Sequence, residues 1–149
     1  LIELIQDDTM DMLHLGKQAL ASQPFSMLVG AVLTKFDQEG TELRVPIQDK
    51  LKQQHGFVHG GVVSYAADNA LTFAGGAALG TGVVTSEYKI NYVRPAIGQE
   101  IIARAVAVHA GKSQAACRCD IFVVNEGKET LCAIAQGTIA RLPAASSAE

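Results

Sequence analysis

Between His59 and Glu87 the chain carries one charged side chain, Asp68, set in a run of valine, alanine, leucine, phenylalanine and glycine. Within that run, Val62 to Ala74 reads as a helix without a polar face. A helix apolar on nearly every side must be wrapped by protein, because any bare flank leaves apolar surface in water. This demand constrains the fold more than any other feature: the rest of the chain has to supply the wrapping. Gly75-Gly76 or Gly80 is expected to end the helix. The wider apolar stretch, Gly60 to Ser86, is interrupted by Asp68, Asn69 and glycines, poor material for a membrane span.

The flanking sequence offers strands. Residues 2 to 21 carry Ile2, Ile5, Met12, Leu13, Leu15 and Leu20 among acids and polar residues, a helical pattern that stops before Gln23-Pro24. Phe25 to Asp37 and Thr41 to Ile47 read as two strands joined by the turn Gln38-Glu39-Gly40. After a polar loop, Asp49 to His55, and the helix, four more strands follow: about Gly82 to Val93, Glu100 to His109, Ser113 to Asn125 and Glu129 to Leu142. Pro95, Gly98, Gly111 and Gly127 mark their turns. In the third of these, Cys117, Cys119, Ile121 and Val123 share one face while Arg118 and Asp120 share the other. Residues 143–149 read as a frayed tail. The order predicts an α+β domain whose antiparallel sheet curls around a central buried helix.

At 149 residues the chain is the size of one domain, with a leading helix at about 2–21 and a core at about 25–141. A net charge of -3 lacks the basic footprint of a nucleic-acid binder. Three cysteines, Cys117, Cys119 and Cys132, have neither disulfide-framework nor zinc spacing, which fits a reducing cytosol. The acidic opening, Leu-Ile-Glu-Leu-Ile-Gln-Asp-Asp, is unlike a signal peptide, so the expected location is cytoplasmic, away from membranes.

Asp68 admits two readings. Burying a carboxylate without partners costs several kcal/mol on an order-of-magnitude reckoning, so such a residue serves either a reaction or a structural network. Gly60-Gly61 stands at the expected start of the same helix, where unpaired N–H groups and the positive end of the dipole can face an oxyanion. A glycine pair there also fits a turn selected for conformation alone.

His59-Gly60-Gly61, six residues, then Asp68 resembles the signature of hotdog acyl-CoA thioesterases of the phenylacetic-acid-degradation (PaaI) type, within the 4HBT thioesterase superfamily. Gln53-Gln54-His55-Gly56-Phe57-Val58 before it and Asn91-Tyr92-Val93-Arg94-Pro95-Ala96 after it extend the resemblance. The resemblance implies a hotdog fold and hydrolysis of an acyl-CoA thioester to free acid and coenzyme A. It implies Asp68 as general base or nucleophile and the Gly60 N–H as oxyanion donor. Gln53 falls at a side-chain amide position that orients the thioester or water, where many relatives have Asn. Thr85 matches a hydroxyl position that holds the attacking water, with Ser86 next in line. The resemblance implies that His59 orders the turn ahead of the helix and that His59, Gly61, Thr72 and Ser86 belong to the substrate-binding set, with Thr72, four residues after Asp68, facing the carboxylate or the acyl pocket. Arg94 and Lys112 lie near loops where coenzyme A phosphates dock. The resemblance further implies a homodimer as the minimal unit, with the helix start of one subunit facing the carboxylate of the other, and pairing of dimers into a homotetramer. No cofactor is expected, because coenzyme A is part of the substrate.

His59 has no G-x-S-x-G nucleophile to serve, and His14, His55 and His109 follow no metal-ligand pattern. Two other readings of the same fold are a dehydratase or hydratase, which would pair a His with an acid, and an acyl-CoA sensor that binds without hydrolysis. Retention of Asp68 speaks against the sensor.

Overall fold

A computed structural model describes the backbone of residues 2–144 and the side chains of residues 11–144. The expected fraying of the tail therefore lies mostly outside the described residues. The chain runs α1 (Ile2–Ala21), α2 (Pro24–Val29), β1 (Val32–Asp37), β2 (Gly40–Pro46), a 3-10 turn (Asp49–Leu51), α3 (Gly60–Leu79), β3 (Val83–Tyr92), β4 (Glu100–Ala110), β5 (Gln114–Asn125) and β6 (Lys128–Arg141). All six strands form one antiparallel sheet in the order β1-β2-β4-β5-β6-β3. Helix α3 touches every one of them. This is the α+β arrangement of the hotdog fold, with the sheet curled around a central helix.

The wrapping follows from the side chains. Ala66, Ala67, Ala70 and Leu71 of α3 are fully buried against Leu43, Val45, Ile101, Cys117, Ile121 and Ile139 of the sheet. Small alanines let the helix lie close to the strands. Strand β5 alternates as its sequence requires, with Cys117, Cys119, Ile121 and Val123 inward and Arg118 and Asp120 in solvent. On the outer face, Glu42 pairs with Arg44 and Arg104, and Arg104 also with Glu129. Burial raises the Glu42 carboxyl, but hydrogen bonds from Arg104, Thr34 and Arg44 outweigh it and hold the group at about 2. No helix among the described residues is long and apolar enough to cross a membrane.

Two expectations need correction, and one alternative is resolved. The stretch from Phe25 does not begin a strand: Pro24 opens the short helix α2, Gly30 closes it at φ 83°, and β1 starts only at Val32. Proline presets the first helical φ and glycine accepts the left-handed cap, whereas the apolar run Phe25–Val29 has no period that separates strand from helix. Of the two ends expected for the central helix, Gly80 is the one used: α3 passes straight through Gly75-Gly76 and ends at Gly80, whose φ is 96°. A Cβ on Gly75 would lie 2.4 Å from Ile139 Cβ, so this glycine is there for close approach to β6 and not to stop the helix. Finally, α3 is not wrapped all round. Gly61, the adjacent Ser64 and Tyr65, Asp68, Thr72 and Gly76, each step three or four residues on, form a stripe that one chain leaves partly open.

Candidate active site

Asp68 sits on that open stripe, half-buried where the sequence suggested full burial. Its partner comes from β3: the Thr85 hydroxyl donates to Asp68 Oδ1 at 2.6 Å. Thr72, one turn along α3, donates to the Asp68 carbonyl oxygen at 2.8 Å and stands 2.8 Å from Thr85 Oγ1. Three contacts share two hydroxyl hydrogens, so Thr72 divides its hydrogen between the carbonyl and Thr85 while Thr85 spends its own on the carboxylate. One carboxylate oxygen is thereby anchored. Among the described residues Oδ2 has no hydrogen-bond partner.

The position of Thr85 depends on a β-bulge. Thr85 pairs with Ile139 and Glu87 with Thr138, leaving Ser86 as the extra residue. Val83 and Thr85 face inward before the bulge and Tyr88 and Ile90 after it, while Ser86 and Glu87 both face out. Gly137 receives the distortion, since a Cβ there would lie 2.5 Å from the Glu87 carbonyl oxygen. Ser86 thus points away from Asp68.

The second cluster lies at the start of α3. His59 is the N-cap, and its Nδ1 accepts from the Gly61 N–H at 2.9 Å. The Val62 and Val63 N–H groups turn back to the His59 carbonyl. Among the described residues the Gly60 N–H alone in this turn has no partner. The Gly61 N–H is therefore spent on the cap, with His59 Nδ1 as its acceptor. Gly60 lines a cavity of about 380 Å³ together with Val63, Tyr92, Arg94 and Cys132, and Tyr92 donates to the Gly60 carbonyl at 3.0 Å. Burial pushes the Cys132 thiol up to about 11, so it is an inert wall at neutral pH.

The remaining predicted residues are scattered. Gln53 lies in the loop whose Phe57 and Val58 line the same cavity, and its side-chain oxygen accepts from the His55 N–H. Arg94 stands at the rim, its guanidinium donating to the Leu131 carbonyl at 2.9 Å. Lys112 is exposed on the β4–β5 turn, at the opposite end of the sheet from Arg94 and Gly60. No group of three potential metal ligands exists among the described residues.

Sequence reasoning passed over a polar network beside Asp68. Tyr65 donates to Ser26 Oγ at 2.6 Å, Ser26 donates to Gln23 Oε1 at 2.6 Å, and Asn69 donates to Tyr65 Oη at 3.0 Å. It pins α2 to the turns of α3 on either side of the carboxylate. Burial raises the Tyr65 phenol, and the negative charge of Asp68 adds to the effect. The signal was present as Tyr65 and Asn69, two polar residues four apart in a largely apolar helix.

Asp68 and Gly60 are eight residues apart on one helix, about 12 Å along its axis at roughly 1.5 Å per residue. N-terminal N–H groups point out of the helix end, away from Asp68. A carbonyl oxygen held by Gly60 and a water held by Asp68 of the same chain cannot meet on one carbon, which requires about 3 Å.

The profile of the thioesterase superfamily matches residues 55–130, a span that holds both clusters. A solved thioesterase-family protein from Silicibacter pomeroyi is 30% identical, with a TM-score of 0.79 over 84% of this chain and 93% of its own. A variant of the phenylacetic acid degradation protein PaaI from Thermus thermophilus is 28% identical, with a TM-score of 0.70 over 80% of this chain and 100% of its own. A Haemophilus influenzae protein named "Putative esterase" is 27% identical over 113 residues, 74% of this chain and 80% of that protein.

Proposed function

Because this chain belongs to the thioesterase superfamily, we propose that it hydrolyses acyl-CoA thioesters, with Asp68 as general base or nucleophile and the Gly60 N–H as oxyanion donor. One observation carries the reading: the open stripe of a wrapped helix presents a carboxylate with one oxygen anchored by Thr85 and the other without a hydrogen-bond partner among the described residues. A structural Asp would be saturated by its neighbours. Asp68 is instead held on one side and left available on the other.

In the general-base form, a water between Asp68 and the thioester gives its proton to Oδ2 as its oxygen attacks the carbonyl carbon. Negative charge collects on the carbonyl oxygen, where the Gly60 N–H and the positive helix end receive it. The carbon–sulfur bond then breaks, coenzyme A leaves as thiolate and is protonated, and the carboxylic acid is released. Thr85 and Thr72 fix the carboxylate, Gln53 orients the thioester beside Gly60, and Arg94 takes up phosphate at the rim of the Gly60 cavity.

The separation of Gly60 from Asp68 supports a site shared between two copies of the chain. Strand β3 is an edge of the sheet, ten residues long, with Val84 and Tyr92 exposed. A bare edge of that length invites pairing with a second β3 about a two-fold axis. Helix α3 runs antiparallel to β3, so the two helices would also run antiparallel and bring the start of each toward the middle of the other. The dimer is the catalytic unit in this reading, and a further pairing into a tetramer adds nothing to the chemistry.

The test is release of free thiol from acyl-CoA, with Asp68→Asn expected to lose at least about two orders of magnitude in turnover. Equal rates in the two proteins would sink the mechanism, and binding of acyl-CoA by the wild type without thiol release would point to a sensor.

A further inference from the structure

Beyond Thr72 the open side of α3 continues into a cavity of about 480 Å³ that no step of the mechanism uses. Its floor is a stripe of α3 running to Gly80, and its wall is a stripe of α1 from Met12 to Ala19. Phe36 and Phe73 meet edge to face at 5.3 Å behind it. Three glycines shape it. A Cβ on Gly76 would touch only Val83 at 3.5 Å, so space lies above the helix there, and at the far end Gly80 and Gly82 add no side chain on either side of Thr81. Thr72 belongs both to this lining and to the hydrogen-bonded group around Asp68.

We propose that this trough binds the acyl chain of the substrate and selects straight, medium-length aliphatic acyl groups over short ones and over single aromatic rings. The inference rests on the thioesterase reading and adds the substrate class. From Thr72 to Gly80 the trough runs about 12 Å along the helix, room for roughly eight to ten methylenes at about 1.3 Å advance per bond of an extended chain. An aryl ring fills only its first turn. Among the described residues the lining contains no Asp, Glu, Lys or Arg, so a charged chain end would be desolvated without a partner there.

The experiment compares kcat/KM for butyryl-, decanoyl- and phenylacetyl-CoA, and follows the thermal stability of the protein with decanoate. Decanoyl-CoA is expected to exceed butyryl-CoA by at least about a hundredfold, since each buried methylene adds transition-state binding, and to exceed phenylacetyl-CoA as well. Gly76→Leu, which fills the trough, lowers the decanoyl-to-butyryl ratio at least about tenfold, whereas Gly76→Ala keeps it. Leu15→Asp, on the exposed wall, is the second variant and lowers the ratio in the same way without altering α3. A ratio near one in the wild type, a preference for phenylacetyl-CoA, or a ratio that neither Gly76→Leu nor Leu15→Asp moves overturns the trough and leaves the thioesterase reading standing. Decanoate that raises Tm in the wild type but not in Gly76→Leu, with no thiol released from any acyl-CoA, keeps the trough and overturns the thioesterase reading.

Discussion

The role of Gly60 rests on one hydrogen atom, and proline can remove it. Gly60 is the first residue of α3, where proline is the favoured substitution because its fixed φ suits the helix and the missing N–H breaks no helical bond. His59 before it, at φ -58° and ψ 133°, already has the extended geometry a following proline requires. Gly60→Pro is therefore expected to fold with an unchanged Tm and lose about a hundredfold or more in kcat, measured by thiol release beside a melting curve. Undiminished turnover would remove Gly60 from the mechanism. At this scale the site was partly legible: a lone carboxylate in an apolar run and a glycine pair before it are visible as letters. That the Gly61 N–H is taken by His59 Nδ1 was not, since it depends on the rotamer of a capping side chain. Likewise, Thr85 holds the carboxylate itself, a contact between residues 17 positions apart that only the folded chain creates.

Helix α3 carries adjacent glycines with opposite requirements, which makes it a sensitive element to test. Gly75 faces Ile139 with no room for a methyl group, while Gly76 faces the open stripe. In a helix either glycine costs about 0.5–1 kcal/mol relative to alanine. Gly76→Ala is expected to recover that amount. Gly75→Ala is expected to be destabilising, because overpacking costs about 1–3 kcal/mol and outweighs the gain in helix propensity. Denaturant titration of the two variants at one protein concentration separates them, and a Gly75→Ala protein more stable than Gly76→Ala would contradict the close approach of α3 to β6. A helix turn and a sheet contact look alike as Gly-Gly, so the sequence leaves the pair and Gly80 as alternative helix ends, and only the fold selects Gly80. The strands from Glu100 onward were readable because alternation in β5 reports a sheet with one covered face. The bulge at Ser86 was not, because an extra residue reveals itself only by its partner strand.

For the molecule as a whole, the decisive question is how many chains make one site. The order of elements and the wrapped helix follow from the sequence of one chain, because all of α3 but the open stripe is buried within it. The open stripe through Asp68 and the bare β3 edge are what a single chain leaves unfinished, and no local pattern in the sequence marks them. If Asp68 of one subunit works with Gly60 of the other, two dead proteins should make a live one. Asp68→Asn retains an intact Gly60, and Gly60→Pro retains an intact Asp68. A mixed dimer then holds one site with both groups and one with neither. Subunit exchange at equal concentrations, by mild denaturation and refolding of the mixture, is expected to yield about half mixed dimers and so about a quarter of wild-type activity. The separately refolded variants remain near their individual residual rates. A mixture no more active than the average of its parts would require both groups to act from one chain, and the 12 Å along α3, about eight residues of rise, would then have to be spanned by a rearrangement of the helix itself.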